Sequence, residues 1–294
     1  MNKIPLFILA GTDKGDSFGE KRINELKFRG RKIIDYLINE TKKSNCFSEI
    51  YLIASKNLKI VTNQDYFFIE AKRRLWKNFN KIFCFSKNNY NRGESMIGVL
   101  LADILPTAAD IQESLLRIKS FVDKDIFLSF TPSHKLTKKR GKMFVKKDEK
   151  SPAIAYSGTG GLYFLKPAHL NRRLILAILG LRLPRDVRHI EFNEGKIDCK
   201  AWQSFRGVIF FTWMLIKIIF YSLIFIDKLF LLIGVFIKLQ KKELTIQGAE
   251  DFLTKILIKR KYQRRKGHGA RIEIIENPVF VDDIDCEEDL KLLN

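Results

Sequence analysis

Cysteine is scarce in this sequence: Cys46, Cys84, Cys199 and Cys286 are spread along 294 positions with no CxxC pair. Neither a zinc ribbon nor a disulfide framework fits that spacing, and a reducing compartment suits it best. Proline (7) and glycine (17) are too few for a collagen-like or linker-like chain. Acidic residues are also in deficit, 33 against 53 Lys and Arg, which leaves a formal net charge of +20. That excess favours an anionic partner, whether nucleotide phosphates, nucleic acid or an anionic membrane surface; the alternative is cations spread over a solvated face. His134, His169, His189 and His268 show no metal-ligand spacing, and neither a GxxxxGK[ST] loop nor a Ser-His-Asp arrangement is present.

What is there reads as a folded chain. Apolar residues make up 46% and charged residues 29%, ample for one sizeable core. The opening run from Ile4 to Ala10 lacks a convincing signal-cleavage site and reads as a buried first strand. Ile33, Ile34, Tyr36, Leu37 and Ile38 recur at helical spacing, and Ile50 to Ala54 is apolar again. Phe67 to Glu70, Lys81 to Phe85 and Asp125 to Phe130 read as further strands, and Gly93 to Leu105 as a helix. Tyr156 to Leu165 joins a glycine-rich turn to a strand. Past position 243, Leu244 to Arg260 reads as an amphipathic helix, Arg271 to Ile275 and Val279 to Val281 as short strands, and the acidic turn at the end as the start of a final helix. Short apolar strands alternating with amphipathic helices predict an α/β, Rossmann-like (GT-A-type) fold, a mainly parallel sheet flanked by helices. Ligands of such sheets bind at the carboxyl ends of the strands, so the loops after Ala10, Ala54, Phe85 and Phe130 are the first places to look.

Between Gly207 and Leu239 lies an apolar stretch of 33 residues, about 50 Å if one helix. Three readings are open: a buried helical hairpin, a helix docked on a membrane surface, and a true span. Lys217 and Lys228, eleven residues apart, fall on nearly the same helical face, and Lys200, Arg206, Lys238, Lys241 and Lys242 flank the stretch. A span would put the α/β segments on its two sides in different compartments, so an amphipathic helix lying on the membrane is favoured. The organisation expected is 1–206 as an α/β domain, 207–242 as a helical insertion and 243–294 as completion of the domain. Location is expected to be cytoplasmic, peripheral on the inner face of the membrane. The basic stretches 135–150 and 259–265 carry few interleaved aromatics and no recognised motif, so nucleic acid is not expected as a partner.

Several motifs, taken in order, resemble the molybdenum-cofactor guanylyltransferase-like (MobA-like) nucleotidyltransferases. Leu9-Ala10-Gly11, the charged loop to Lys21 and the turn at FRGRK leading into a helix resemble that family's opening strand, LAGG-type loop, lysine and GKPLI-type turn. Asn91-Arg92-Gly93-Glu94-Ser95 resembles the motif bordering the base, Gly160-Gly161-Leu162-Tyr163-Phe164 the GGN-type strand on the acceptor side, and DIDCEEDL (283–290) the DIDTPEDL ending. The resemblance implies a Mg²⁺-dependent transfer of an NMP moiety from a nucleoside triphosphate to a phosphorylated or hydroxylated acceptor, with pyrophosphate released. It implies that Ala10, Gly11 and Thr12 contact the nucleotide, with Lys21 or Arg22 at its phosphates. Glu94 and Ser95 would border the base, Gly160 and Gly161 would face the acceptor, and Asp285 with Asp283 would hold the metal; the last two otherwise cap the final helix.

Two departures stand out. Thr12 replaces the second glycine of the loop, and the strand Leu128-Ser129-Phe130-Thr131-Pro132 has an aromatic where the principal metal carboxylate is expected. Either another loop supplies the acid, the register of the comparison slips, or the protein is a degenerate nucleotide-binding or membrane-associated scaffold without turnover.

Overall fold

A computed structural model of the protein describes residues 3–11, 25–56, 58, 66–72, 74–121, 123–136, 143–158, 161–180, 191–193, 196–198, 226–280, 284 and 289–291. Its first strand, β1 (Ile4–Ala10), is buried at all seven positions. A strand covered on both faces reads as a continuous apolar run, and this one sits in the middle of the sheet. Leu6 and Ile8 point to one face and Phe7 and Leu9 to the other, the period of two that a pleated strand imposes.

After the small hairpin β2 (Lys27–Phe28) and β3 (Arg31–Lys32), helix α1 (Ile33–Lys43) lays Ile33, Ile34, Leu37 and Ile38 on the first face. Strands β4 (Phe47–Ala54) and β5 (Phe67–Glu70) extend the sheet in parallel on one side of β1. Helix α2 (Leu75–Asn89) covers the second face with Phe79, Ile82 and Phe83. The chain then crosses to the other side of β1, where β6 (Ile97–Leu101) pairs with it in parallel. Helix α3 (Ala108–Lys119) follows, its start fixed by a reciprocal capping box between Thr107 and Asp110. Beyond come β7 (Ile126–Pro132), β8 (Met143–Lys146), β9 (Ala153–Gly158) and β10 (Leu162–Leu165). The sheet order is β5-β4-β1-β6-β10-β7-β9-β8, with β10 antiparallel to both β6 and β7.

Helix α4 (Arg172–Gly180) leads on to β11 (Glu191–Asn193) and β12 (Lys196–Asp198), which pair with each other. Then follow α5 (Ile226–Gln240), α6 (Ile246–Leu257), α7 (Arg260–Gln263) and β13 (Ala270–Ile274). β13 joins β7 in parallel, so sequence from beyond the apolar stretch completes the main sheet. The sheet is mixed, mostly parallel and flanked by helices, the α/β class read from the sequence.

Two element assignments change. Lys81 to Phe85, expected as a strand, lies inside α2, whose buried positions Asn78, Phe79, Ile82, Phe83 and Ser86 follow helical spacing. Gly93 to Leu105, expected as a helix, contains β6 instead, with Ile97, Val99 and Leu100 fully buried between two neighbouring strands. A short apolar run satisfies both periods, and only the sheet chooses. Val279, expected in a strand, falls in a short 3₁₀ turn, Pro278–Phe280. Among the described residues no helix is long and apolar enough to cross a membrane. Much of the apolar stretch, 207–225, lies outside them, and its remainder forms most of α5.

Candidate functional site

β1 pairs with β4 on one side and β6 on the other, so the loops after β1 and β6 part company and leave a crevice at their carboxyl ends. This reversal of strand order is where open α/β sheets bind ligands. The crevice is zipped by backbone bonds: the Ala102 N–H donates to the Leu9 carbonyl (3.0 Å) and the Leu101 N–H to the Gly161 carbonyl (2.6 Å). The C-terminal segment returns to the same edge, with the Gly161 N–H donating to the Phe280 carbonyl (2.7 Å) and the Ile284 N–H to the Asp103 carbonyl (2.7 Å). Asp103, two residues past the end of β6 and buried, thus stands where the C-terminal segment meets this edge.

Of the residues expected at the nucleotide, Ala10 and Gly11 stand at this edge; Gly161, expected at the acceptor, stands at the same edge beyond β6. A side chain at 11 would meet Ala71 Cβ and Asn78 Nδ2 at 3.0 Å each, so the loop after β1 passes close against the start of α2. Asn78 is buried and clamps Lys72 in both directions, donating to its carbonyl (3.0 Å) and accepting from its N–H (2.6 Å). Thr12, Lys21, Arg22, Gly160, Asp283 and Asp285 lie outside the described residues.

Gly161 is set by packing. A Cβ there would stand 2.4 Å from Ile104 Cδ1 and 2.6 Å from Cγ1, and Ile104, next to Asp103, is fully buried. Gly161→Ala is therefore expected to cost about 1–3 kcal/mol by overpacking. Thermal melts of this variant and of Gly161→Ala combined with Ile104→Val check it: the second change removes a methyl group and should recover part of the loss. A variant melting with the wild type would show that the loop gives way freely.

Glu94 and Ser95 do not join this crevice. They precede β6, whereas Gly11 follows β1, so a strand's length separates them. With 97–101 extended rather than helical, the motif is carried to the amino edge of the sheet, away from Ala10 and Gly11. Phe130 is corrected too. It lies on β7, separated from β6 by β10, and packs with Val145, Tyr156, Leu244, Ala249 and Ile272 in a separate core cluster. An acidic residue, Asp103, follows β6, the strand that pairs with β1.

At the amino edge the structure gathers residues that no sequence spacing links. His169, which follows β10, has Asp125 Oδ1 at Nδ1 (2.5 Å) and Glu94 at Nε2. His268, just before β13, places its Nδ1 2.9 Å from the same Asp125 oxygen, while Asp125 Oδ2 accepts from the Gly269 N–H (2.9 Å). The Tyr262 hydroxyl donates to Glu94 (2.9 Å), and its ring stacks on His169 with centroids 3.8 Å apart. Burial by itself would raise the Glu94 carboxyl's pKa; hydrogen bonds from His169 and Tyr262 and the charge of Lys261 outweigh it and hold the group below the usual carboxylate range. Beside Glu94 opens a pocket of about 330 Å³ lined by Lys87, Arg92, Arg172, Lys259 and Lys261. Burial, then the neighbouring Lys261 charge, lowers the Lys259 ammonium's pKa. Lone histidines far apart in sequence give no signal for such a cluster.

No protein-family model matches the sequence, and none of the curated proteins does. Among solved structures, a hypothetical transferase from Thermus thermophilus has the same fold along 98% of this chain and 99% of its own, at a TM-score of 0.58 and 15% identity. A CMP:2-keto-3-deoxy-manno-octonic acid synthetase complexed with CTP aligns over 62% of this chain and 80% of its own (TM-score 0.43, 10% identity). A 2-C-methyl-D-erythritol 4-phosphate cytidylyltransferase, also from Thermus thermophilus, aligns over 61% and 79% (TM-score 0.38, 10% identity).

Proposed function

We propose that this protein is a MobA-like nucleotidyltransferase that moves an NMP moiety from a nucleoside triphosphate to a phosphorylated or hydroxylated acceptor. The observation that carries the reading is the crevice between β1 and β6, where the glycine-bearing loop, Asp103 and the segment at Ile284 are tied together. Fold likeness to a transferase over nearly the whole chain supports it. In this reading the backbone after Ala10 approaches the nucleotide, and Lys21 or Arg22 offsets charge on its phosphates. On the same reading Asp103, together with Asp283 and Asp285, would supply oxygen ligands, the kind that suit a hard dication such as Mg²⁺. When bound, that ion neutralises phosphate charge. In this reading the backbone at Gly160 and Gly161 faces the acceptor. An acceptor oxygen attacks the α-phosphorus in line; the new P–O bond forms as the bond to the β-phosphate oxygen breaks, and pyrophosphate leaves with the electron pair.

A pyrophosphate-release assay across the four nucleoside triphosphates, with phosphorylated and hydroxylated acceptors, tests the proposal. Release with one triphosphate, lost in Asp103→Asn, is expected; no release with any of them would reject it. The scaffold alternative took its motive from Phe130, which lies away from the crevice.

Peripheral membrane attachment on the cytoplasmic face is the second part of the reading. Helix α5 packs Val235 and Leu239 against the core yet leaves Phe230 (70%) and Phe236 (60%) exposed, with Lys238, Lys241 and Lys242 near its end. Apolar side chains turned outward beside cations suit an anionic bilayer interface. Co-sedimentation with phosphatidylglycerol vesicles should exceed that with phosphatidylcholine, and Phe230→Ser with Phe236→Ser should weaken it by about tenfold per aromatic. Equal sedimentation of the double variant would count against attachment through this helix.

A further inference from the structure

The amino-edge cluster brings together Asp125, His169 and His268, one ligand atom from each lying within 4.8 Å of the others. Two imidazole nitrogens from separate loops converge on one oxygen of a carboxylate that has no exposed surface. A cation at this focus would take the two Nδ1 lone pairs and leave the His169 Nε2–Glu94 and Asp125–Gly269 contacts in place.

The surroundings are those of a ligating histidine. Such a ring donates its other N–H to a carboxylate, which fixes its tautomer and orientation. His169 Nε2 is aimed at Glu94, Glu94 is held by the Tyr262 hydroxyl, and the Tyr262 ring stacks on His169. The Asp125 oxygen not aimed at the histidines is occupied by the Gly269 N–H, and the Asp125 N–H donates to the Gly269 carbonyl (2.8 Å), so the acid's position is fixed as well. Ligands around a tetrahedral ion with bonds of about 2.0–2.1 Å lie roughly 3.3 Å apart. The observed contacts of 2.5 and 2.9 Å reach that with small outward shifts.

We infer that Asp125, His169 and His268 form a binding site for a transition-metal dication of the Zn²⁺ class. The donor set decides the class: Mg²⁺ takes oxygen ligands in near-ideal octahedra, whereas two imidazoles and a carboxylate suit Zn²⁺ and its neighbours. Three protein ligands leave a fourth position for water. The site pins the loops entering β7 and β13 to the loop leaving β10, at the edge of the sheet opposite the β1–β6 crevice. It does not depend on the transferase reading.

The test is zinc titration of the full-length, chelator-stripped protein by calorimetry, with elemental analysis of protein purified without chelator. Stoichiometric uptake is expected, with a rise in melting temperature on adding zinc. His268→Ala, at a partly exposed position, should fold yet lose the binding and the rise; Glu94→Gln should weaken affinity by about 10–100-fold. Failure of the wild-type protein to take up stoichiometric zinc, or equal binding by His268→Ala, would overturn the assignment and leave a hydrogen-bonded network.

Discussion

Asp103→Asn is expected to lower pyrophosphate release by about 10²–10³-fold while the protein stays folded. The substitution keeps the side-chain volume and removes the charge. The carbonyl of residue 103 accepts from the Ile284 N–H, and the N–H of its neighbour Ala102 donates to Leu9. Neither bond involves the carboxylate, so the crevice should keep its shape. A carboxylate that matters most as charge shifts from the α-phosphate to the leaving pyrophosphate acts chiefly in the transition state, so kcat should fall far more than KM rises. Steady-state kinetics with the active triphosphate, beside a melting curve, separates this from unfolding. Turnover at the wild-type rate would remove Asp103 from the chemistry and with it the main physical support for the β1–β6 crevice as the reaction site.

The second large effect is on stability. Phe130→Asp, which reading the sequence alone makes look like restoration of a lost metal ligand, is expected to destabilise by at least about 3–5 kcal/mol. Phe130 is 7% exposed, and its carbonyl accepts from the Ile275 N–H (2.8 Å) as the chain leaves β13. Replacing its ring removes the apolar contact with Val145, Tyr156, Leu244, Ala249 and Ile272, and puts an ionised group among them without a partner. The melting temperature should drop by roughly 10 °C or more, whereas Phe130→Leu should stay close to wild type. A soluble Phe130→Asp protein with wild-type melting and raised turnover would contradict the placement of β7 in the sheet.

These two expectations trade places because of one misread element. Ile97 to Leu101 is a run of five apolar or small residues, and five positions do not separate a period of 3.6 from a strand buried on both faces. Reading it as helix removes the strand that ends just before Asp103, so the next strand along, β7, is made to stand for it. The neighbouring error in α2 has the same origin: Ile82, Phe83 and Phe85 look extended until Asn78, Phe79 and Ser86 are seen to share their buried face. Longer or better punctuated elements fared better. The seven-residue β1, the helix after FRGRK and the amphipathic α6 announce themselves through uninterrupted burial or a full 3.6 repeat.

The order of apolar segments along the chain was enough to determine an α/β sheet, because strand and helix patterning is local and each segment carries its own period. Resemblance to the MobA-like family also placed Ala10, Gly11 and Gly161 among the residues to watch. What surrounds them was decided only when β6 took its place beside β1 and brought Asp103 and Ile284 to one edge. At the other edge, Asp125 stands 44 residues from His169 and 143 from His268, and nothing between them repeats or spaces to reveal the pairing. Those contacts are made by strand order across the sheet, a property of non-local hydrogen bonding that no window of neighbouring residues contains.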